Sequence, residues 1–85
     1  MNSIDLLGQK LGTAALTTLV RLCPEIETAS PAQQEAACAA MRAKAREAVD
    51  QLLADAENAP GVTHAAFACA ALTLSHEGIK VLRGC

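Results

Sequence analysis

Apolar residues recur at three- and four-residue steps along almost the whole chain, the period of helices that bury one face. The first such stripe is Ile4, Leu7, Leu11, Ala14, Ala15, Thr18 and Leu22, with Asn2 or Ser3 placed to cap the helix that carries it. Pro24 ends that helix, because proline disfavours α geometry in the residue before it, here Cys23. The stretch from Cys23 to Ala29 then reads as a connector, with Ile26 pinning it to the core.

The second helix has the clearest start signal. Ser30 stands as N-cap, Pro31 occupies the first helical position, and Gln33 completes a capping box. From there Cys38, Met41, Ala45, Ala48, Val49, Leu52, Leu53 and Ala56 share one face, while Glu35, Arg46, Glu47, Asp50 and Glu57 lie elsewhere. Asn58-Ala59-Pro60-Gly61 breaks the chain again, and Thr63 caps a third helix. Gly78 leaves two readings of its far end: a C-terminal cap before an extended tail, or an interior residue costing about 1 kcal/mol relative to alanine. The continuous helix is the one expected. The predicted elements are helices over roughly 3–23, 31–58 and 63–82, packed as an all-α, three-helix bundle in one domain spanning residues 1–85.

The third helix carries more apolar surface than such a bundle needs. Projected at 100° per residue, Phe67, Ala70, Ala71, Leu74, Val81 and Leu82 fall on one arc, and Ala65, Ala68, Leu72 and Ile79 on the next. The first helix repeats this on a smaller scale, since Gly12, Leu16, Val20 and Cys23 follow one another away from the main stripe. Gly8 and Gly12 are spaced for close approach of another helix, a pattern with full meaning only in membranes. The surplus either packs inside a tightly wound bundle, meets a second copy, or is reserved for a different protein. A homodimer is the association expected, with Gly12, Leu16, Val20, Phe67, Ala71, Leu74 and Val81 as the residues facing the partner.

Composition agrees with this picture. In 85 residues, 52% are hydrophobic and Phe67 is the one aromatic, so the chain has the apolar content to fold and too few strand-forming residues for a sheet. A core this small is marginal alone, which favours self-association. The net charge of −2 is spread along the chain without a basic run that would track phosphates. Asp5, Gln9 and Lys10 break what would otherwise be a signal peptide. The apolar run from Ala65 to Leu72 falls short of the ~20 residues that cross a bilayer. A cytoplasmic protein without a membrane partner is expected.

Candidate chemistry is thin. Cys23, Cys38, Cys69 and Cys85 lack the short spacings of structural zinc sites, although Cys69 and His76 share one side of the third helix. With no sign of secretion, free thiols are expected, with Cys85 exposed. A cysteine nucleophile paired with His64 or His76 would lack a strained turn, a glycine-rich oxyanion loop and an orienting carboxylate. Arg42, Lys44 and Arg46 suggest a Rop-like, dimeric RNA-binding hairpin, but Glu47 and Asp50 adjoin them and no aromatic set stacks bases. The joints are proline-bearing connectors, unlike the short turn of a helix-turn-helix. No catalytic, cofactor or metal residue is therefore expected. The reading is a small non-enzymatic interaction module, a bacterial or phage regulator or inhibitor that masks a surface of a host protein complex. The alternatives are a small chaperone or assembly subunit shielding a client's hydrophobic helix, and the RNA-binding hairpin.

Overall fold

The computed structural model describes residues 3–58 and 63–84. Helix α1 runs Ser3–Leu22, with Asp5 in its first turn and Arg21 in its last, each opposing the helix dipole at its end. It stops one residue earlier than the sequence predicts, because Cys23, before Pro24, sits at φ −139° and ψ 69°. The expected connector is itself ordered as a 3-10 helix, Pro24–Thr28. Ile26 does pin it, at 6% exposure. Gln34 Nε2 adds a tie by donating to the Ile26 carbonyl at 2.8 Å.

Helix α2 runs Pro31–Asn58. Its capping box is complete: Gln33 N–H donates to Ser30 Oγ at 3.2 Å, and Ser30 N–H donates to Gln33 Oε1 at 3.3 Å. Helix α3 runs His64–Arg83 and opens on Thr63, whose Oγ1 accepts from Ala66 N–H at 3.0 Å. It continues through Gly78 and closes at Gly84, which takes φ +70° and donates its N–H to the Lys80 carbonyl. Asn2 as an alternative cap, the breaker residues Ala59, Pro60 and Gly61, and Cys85 lie outside the described residues.

The three helices pack as an all-α bundle. Helix α3 lies against both others, most heavily against α2, while α1 and α2 touch each other least. The core is Leu11, Ala15, Leu19 and Cys23 from α1 and its end, Ile26, then Ala37, Met41, Val49 and Leu52 from α2, and Ala71 and Leu74 from α3. Complete burial of a leucine such as Leu11, Leu19, Leu52 or Leu74 contributes about 1.5 to 3 kcal/mol.

The buried row of α1 is rotated from the predicted stripe. Leu11, Ala15, Leu19 and Cys23 are wholly buried, whereas Ile4 and Leu22, expected inside, are 40% and 42% exposed. The buried residues form a four-step ridge, the row that fits into the groove between two neighbouring helices. A wider stripe mixing three- and four-residue steps cannot all be covered by them.

Gly78 explains the close seating of α3. A Cβ there would stand 2.9 Å from Met41 Sδ and 3.2 Å from Leu19 Cδ2. The glycine costs helix propensity and lets three helices meet at one level. Ser75, a polar residue in this core, is satisfied by donating to the Leu72 carbonyl at 2.8 Å. Among the described residues no buried side-chain nitrogen or oxygen lacks a partner.

Candidate functional site

The seven residues expected at an interface do not form one surface. Ala71 and Leu74 are 3% and 2% exposed and belong to the bundle core. Val20 and Phe67 are half-buried and pack against the edge of that core. Leu16 and Val81 are open to solvent, at 44% and 40%. Cys23, grouped with Gly12, Leu16 and Val20 by its spacing, is fully buried because it ends the core ridge of α1.

The structure brings Gly12 and Leu16 together in a groove between α1 and α2. Gly8, Gly12 and Leu16 form one wall, Cys38, Arg42 and Ala45 the other, with Met41 and Leu74 also lining it, around about 210 Å³. Toward the start of α1 the same cleft continues past Ile4, Asp5 and Gln9 on one side and Arg46 and Val49 on the other. The cleft exists because two glycines stand where α1 would otherwise fill the space. A Cβ on Gly12 would meet nothing within 4 Å, and one on Gly8 only Val49 Cγ2 at 3.9 Å. Each glycine costs a helix interior about 1 kcal/mol relative to alanine. Gly78 has an internal reason for that cost; Gly12 has none within the monomer.

Charge along the cleft is neutralised locally. Arg42 pairs with Glu35, and Arg46 with Asp50 at 3.2 Å. Lys44, the third cation of the predicted nucleic-acid face, pairs with Glu47 at 3.5 Å. A second cleft, of about 450 Å³, separates α2 from α3. Ala48, Leu52, Ala66 and Ala70 line it together with Lys44, Glu47, Asp55, Glu77 and Cys69. Phe67 lines a third hollow with Leu6, Lys10, Thr13 and Ala14.

Sequence reasoning missed Leu6, which is 46% exposed. It also left Cys38, Met41 and Ala45 on the interior face of α2 without seeing them as the far side of a groove. The available signal was the pair Gly8 and Gly12. Leu72, on the second arc of α3, is 41% exposed as its position suggested. Counted across Thr73, Ser75 and His76, α3 is by length and composition apolar enough to cross a membrane, a property that core helices of bundles share.

Among the described residues no three His, Cys, Asp or Glu side chains gather as a metal-binding group. Cys23, Cys38 and Cys69 are free thiols, buried, half-buried and exposed in that order. The strongest electrostatic cluster joins the end of α3 to the first joint. Arg83 Nε donates to Glu25 Oε1 at 3.0 Å, and an Arg83 terminal nitrogen donates to the Leu22 carbonyl at 3.4 Å. Burial pushes the Cys23 thiol up from its ordinary 9.0, with the neighbouring Glu25 adding to the rise. Hydrogen bonds from Cys23, from its own backbone and from Arg83 hold the Glu25 carboxyl down at about 2.

This cluster sets a pH response. A carboxyl lowered in the folded state stabilises the fold above its unfolded value, and that contribution is lost as pH falls from 4.5 toward about 2. A thiol raised in the folded state has the opposite sign, so its contribution is lost as pH rises above 9.0. Urea midpoints should therefore fall at both extremes. Glu25→Gln should flatten the acid limb relative to the parent protein while retaining the part of the alkaline limb that burial of Cys23 carries.

The chain matches no protein-family model, no curated protein and no solved structure.

Proposed function

We propose that this protein is a non-catalytic interaction module that works by laying exposed apolar helix faces against another protein surface. The observation that carries this reading is the placement, among the described residues, of six large hydrophobic side chains at the surface. Ile4, Leu6, Leu16, Leu22, Leu72 and Val81 are each 40% to 46% exposed. Scattered single residues of this kind are ordinary, but Ile4 and Leu16 adjoin one cleft, whose Leu16 end is lined mainly by apolar residues. In a bundle this small such a surface is more usefully covered than left in water. Among the described residues the clefts present no convergent set of nucleophile, base and oxyanion donors, which favours binding over catalysis. Regulation or inhibition by masking part of a bacterial or phage-host complex is the form proposed, and shielding of a client's helix fits the same surface. The pairing of Arg42, Lys44 and Arg46 with acids of their own helix leaves little positive field for RNA.

Leu16→Asp tests the reading. The side chain is exposed, so the variant should keep its helical circular dichroism and lie within about 0.5 kcal/mol of the parent in stability. Self-association, or capture of a protein partner, should be lost or reduced at least about tenfold, a change of 1.4 kcal/mol. Leu72→Asp provides the same test on α3. If the parent protein neither self-associates nor takes up a protein partner, or both variants behave like it, the reading is wrong.

A further inference from the structure

We propose that two copies of this chain pair through α1, crossing antiparallel at Gly12 so that each Leu16 enters the other's hollow over Gly8. The inference rests on the interaction-module reading above and names its first partner and site. Ile4, Gly8, Gly12, Leu16 and Val20 form one four-step row along α1, each residue exposed or half-buried. Reversed about Gly12, the centre of the row matches itself: Gly12 meets Gly12 and Gly8 meets Leu16, while Ile4 and Val20, each turned about 80° from Gly12 around the helix, flank the contact. Every projecting leucine then faces a glycine. This is the self-complementarity of an isologous two-fold interface, in which the same patch serves both subunits.

The hollow is already formed. Above Gly8, where the partner's Leu16 enters, the nearest atom outside its own turn of helix is Val49 Cγ2 at 3.9 Å, above Gly12 there is none within 4 Å, and the groove they share holds about 210 Å³ between α1 and α2. The row itself carries no charge, and Arg42, the cation on the facing wall, is tied to Glu35. On α3 the corresponding row through Leu72 runs into His76 and Lys80, so it does not match itself in the same way. Size also fits. Helix α1 is about 30 Å long, and with the groove wall it offers a strip about 20 Å wide, roughly 600 Å² per copy. Two such strips bury about 1,200 Å², the lower end of specific interfaces.

Five proteins, the last of them Leu72→Asp, decide the matter, measured by sedimentation equilibrium and circular dichroism. The parent chain should be dimeric at about 100 μM. Gly12→Leu should weaken the dimer at least about a hundredfold while keeping its helical circular dichroism, because a Cβ at this position meets no other element of the monomer and the helix gains propensity. Gly8→Leu alone should also weaken it, since leucine then meets leucine. Gly8→Leu with Leu16→Gly exchanges bump and hollow and should restore the dimer. A parent chain that stays monomeric overturns the pairing. If the parent is dimeric but Gly12→Leu is unaffected and Leu72→Asp dissociates it, this site is wrong while the interaction-module reading survives. A fully folded Gly8→Leu, Leu16→Gly protein that remains monomeric also overturns it.

Discussion

Leu74→Asp should abolish the folded state. Leu74 is 2% exposed and sits where α3 meets the other helices, at the bottom of the α1–α2 groove. Truncating a buried leucine costs about 2 to 5 kcal/mol through lost transfer energy and the cavity it leaves. An unpaired carboxylate in the same place adds a desolvation cost of several kcal/mol, because the cations lining the two clefts that Leu74 borders, Arg42 and Lys44, are already paired with Glu35 and Glu47. A domain of this length is stable by roughly 4 to 13 kcal/mol. The sum is therefore comparable to the whole stability. Far-UV circular dichroism should show loss of most helix at 25 °C, in contrast to Leu16→Asp, whose helical signal should persist. A folded Leu74→Asp protein would mean that Leu74 faces outward and that α3 is rotated from the arrangement described.

Gly78→Val should be the next most damaging exchange. Adding a single Cβ already places an atom 2.9 Å from Met41 Sδ and 3.2 Å from Leu19 Cδ2. Met41 is 6% exposed and Leu19 fully buried, so neither can swing into solvent. Overpacking of this kind costs about 1 to 3 kcal/mol, and valine recovers only part of the propensity that glycine forgoes. The net loss should be about 2 kcal/mol, read from urea midpoints at unchanged slope. Combining it with Met41→Ala should recover at least about 1 kcal/mol relative to additivity, because the two changes act on one shared space. Additive losses would show that Gly78 and Met41 do not compete for it.

These two residues mark where the sequence was readable and where it was not. Helix starts were legible because they depend on local chemistry: Ser30 with Gln33, and Thr63 with the N–H of Ala66, can satisfy each other without reference to the rest of the fold. The sides of the helices were less so. In α1, two apolar rows lie side by side, and only the crossing of α2 and α3 selects the one through Leu11, Ala15, Leu19 and Cys23. In α3, alanines cover so much of the circumference that Leu74 reads equally well as ridge or core. Gly78 was placed correctly inside a helix, but its reason is a neighbour from α2, 37 positions away in the chain. Of the candidate site, Gly12 and Leu16 were visible from their spacing. The opposite wall was invisible, because Cys38 and Ala45 carry no chemistry that distinguishes a groove from a packed seam.

The graded burial of the thiols gives the molecule an internal clock for its own opening. Cys69 stands in solvent, Cys38 is partly covered, and Cys23 is sealed at the joint held by Glu25 and Arg83. A thiol reagent reaches Cys69 without any motion, so its reaction marks the intrinsic chemical rate. Cys23 can react only during excursions that lift the joint, and the ratio of the two rates reports the free energy of that local excursion rather than of global unfolding. The natural sequence thus separates fraying of the first joint from collapse of the whole bundle, with no label introduced.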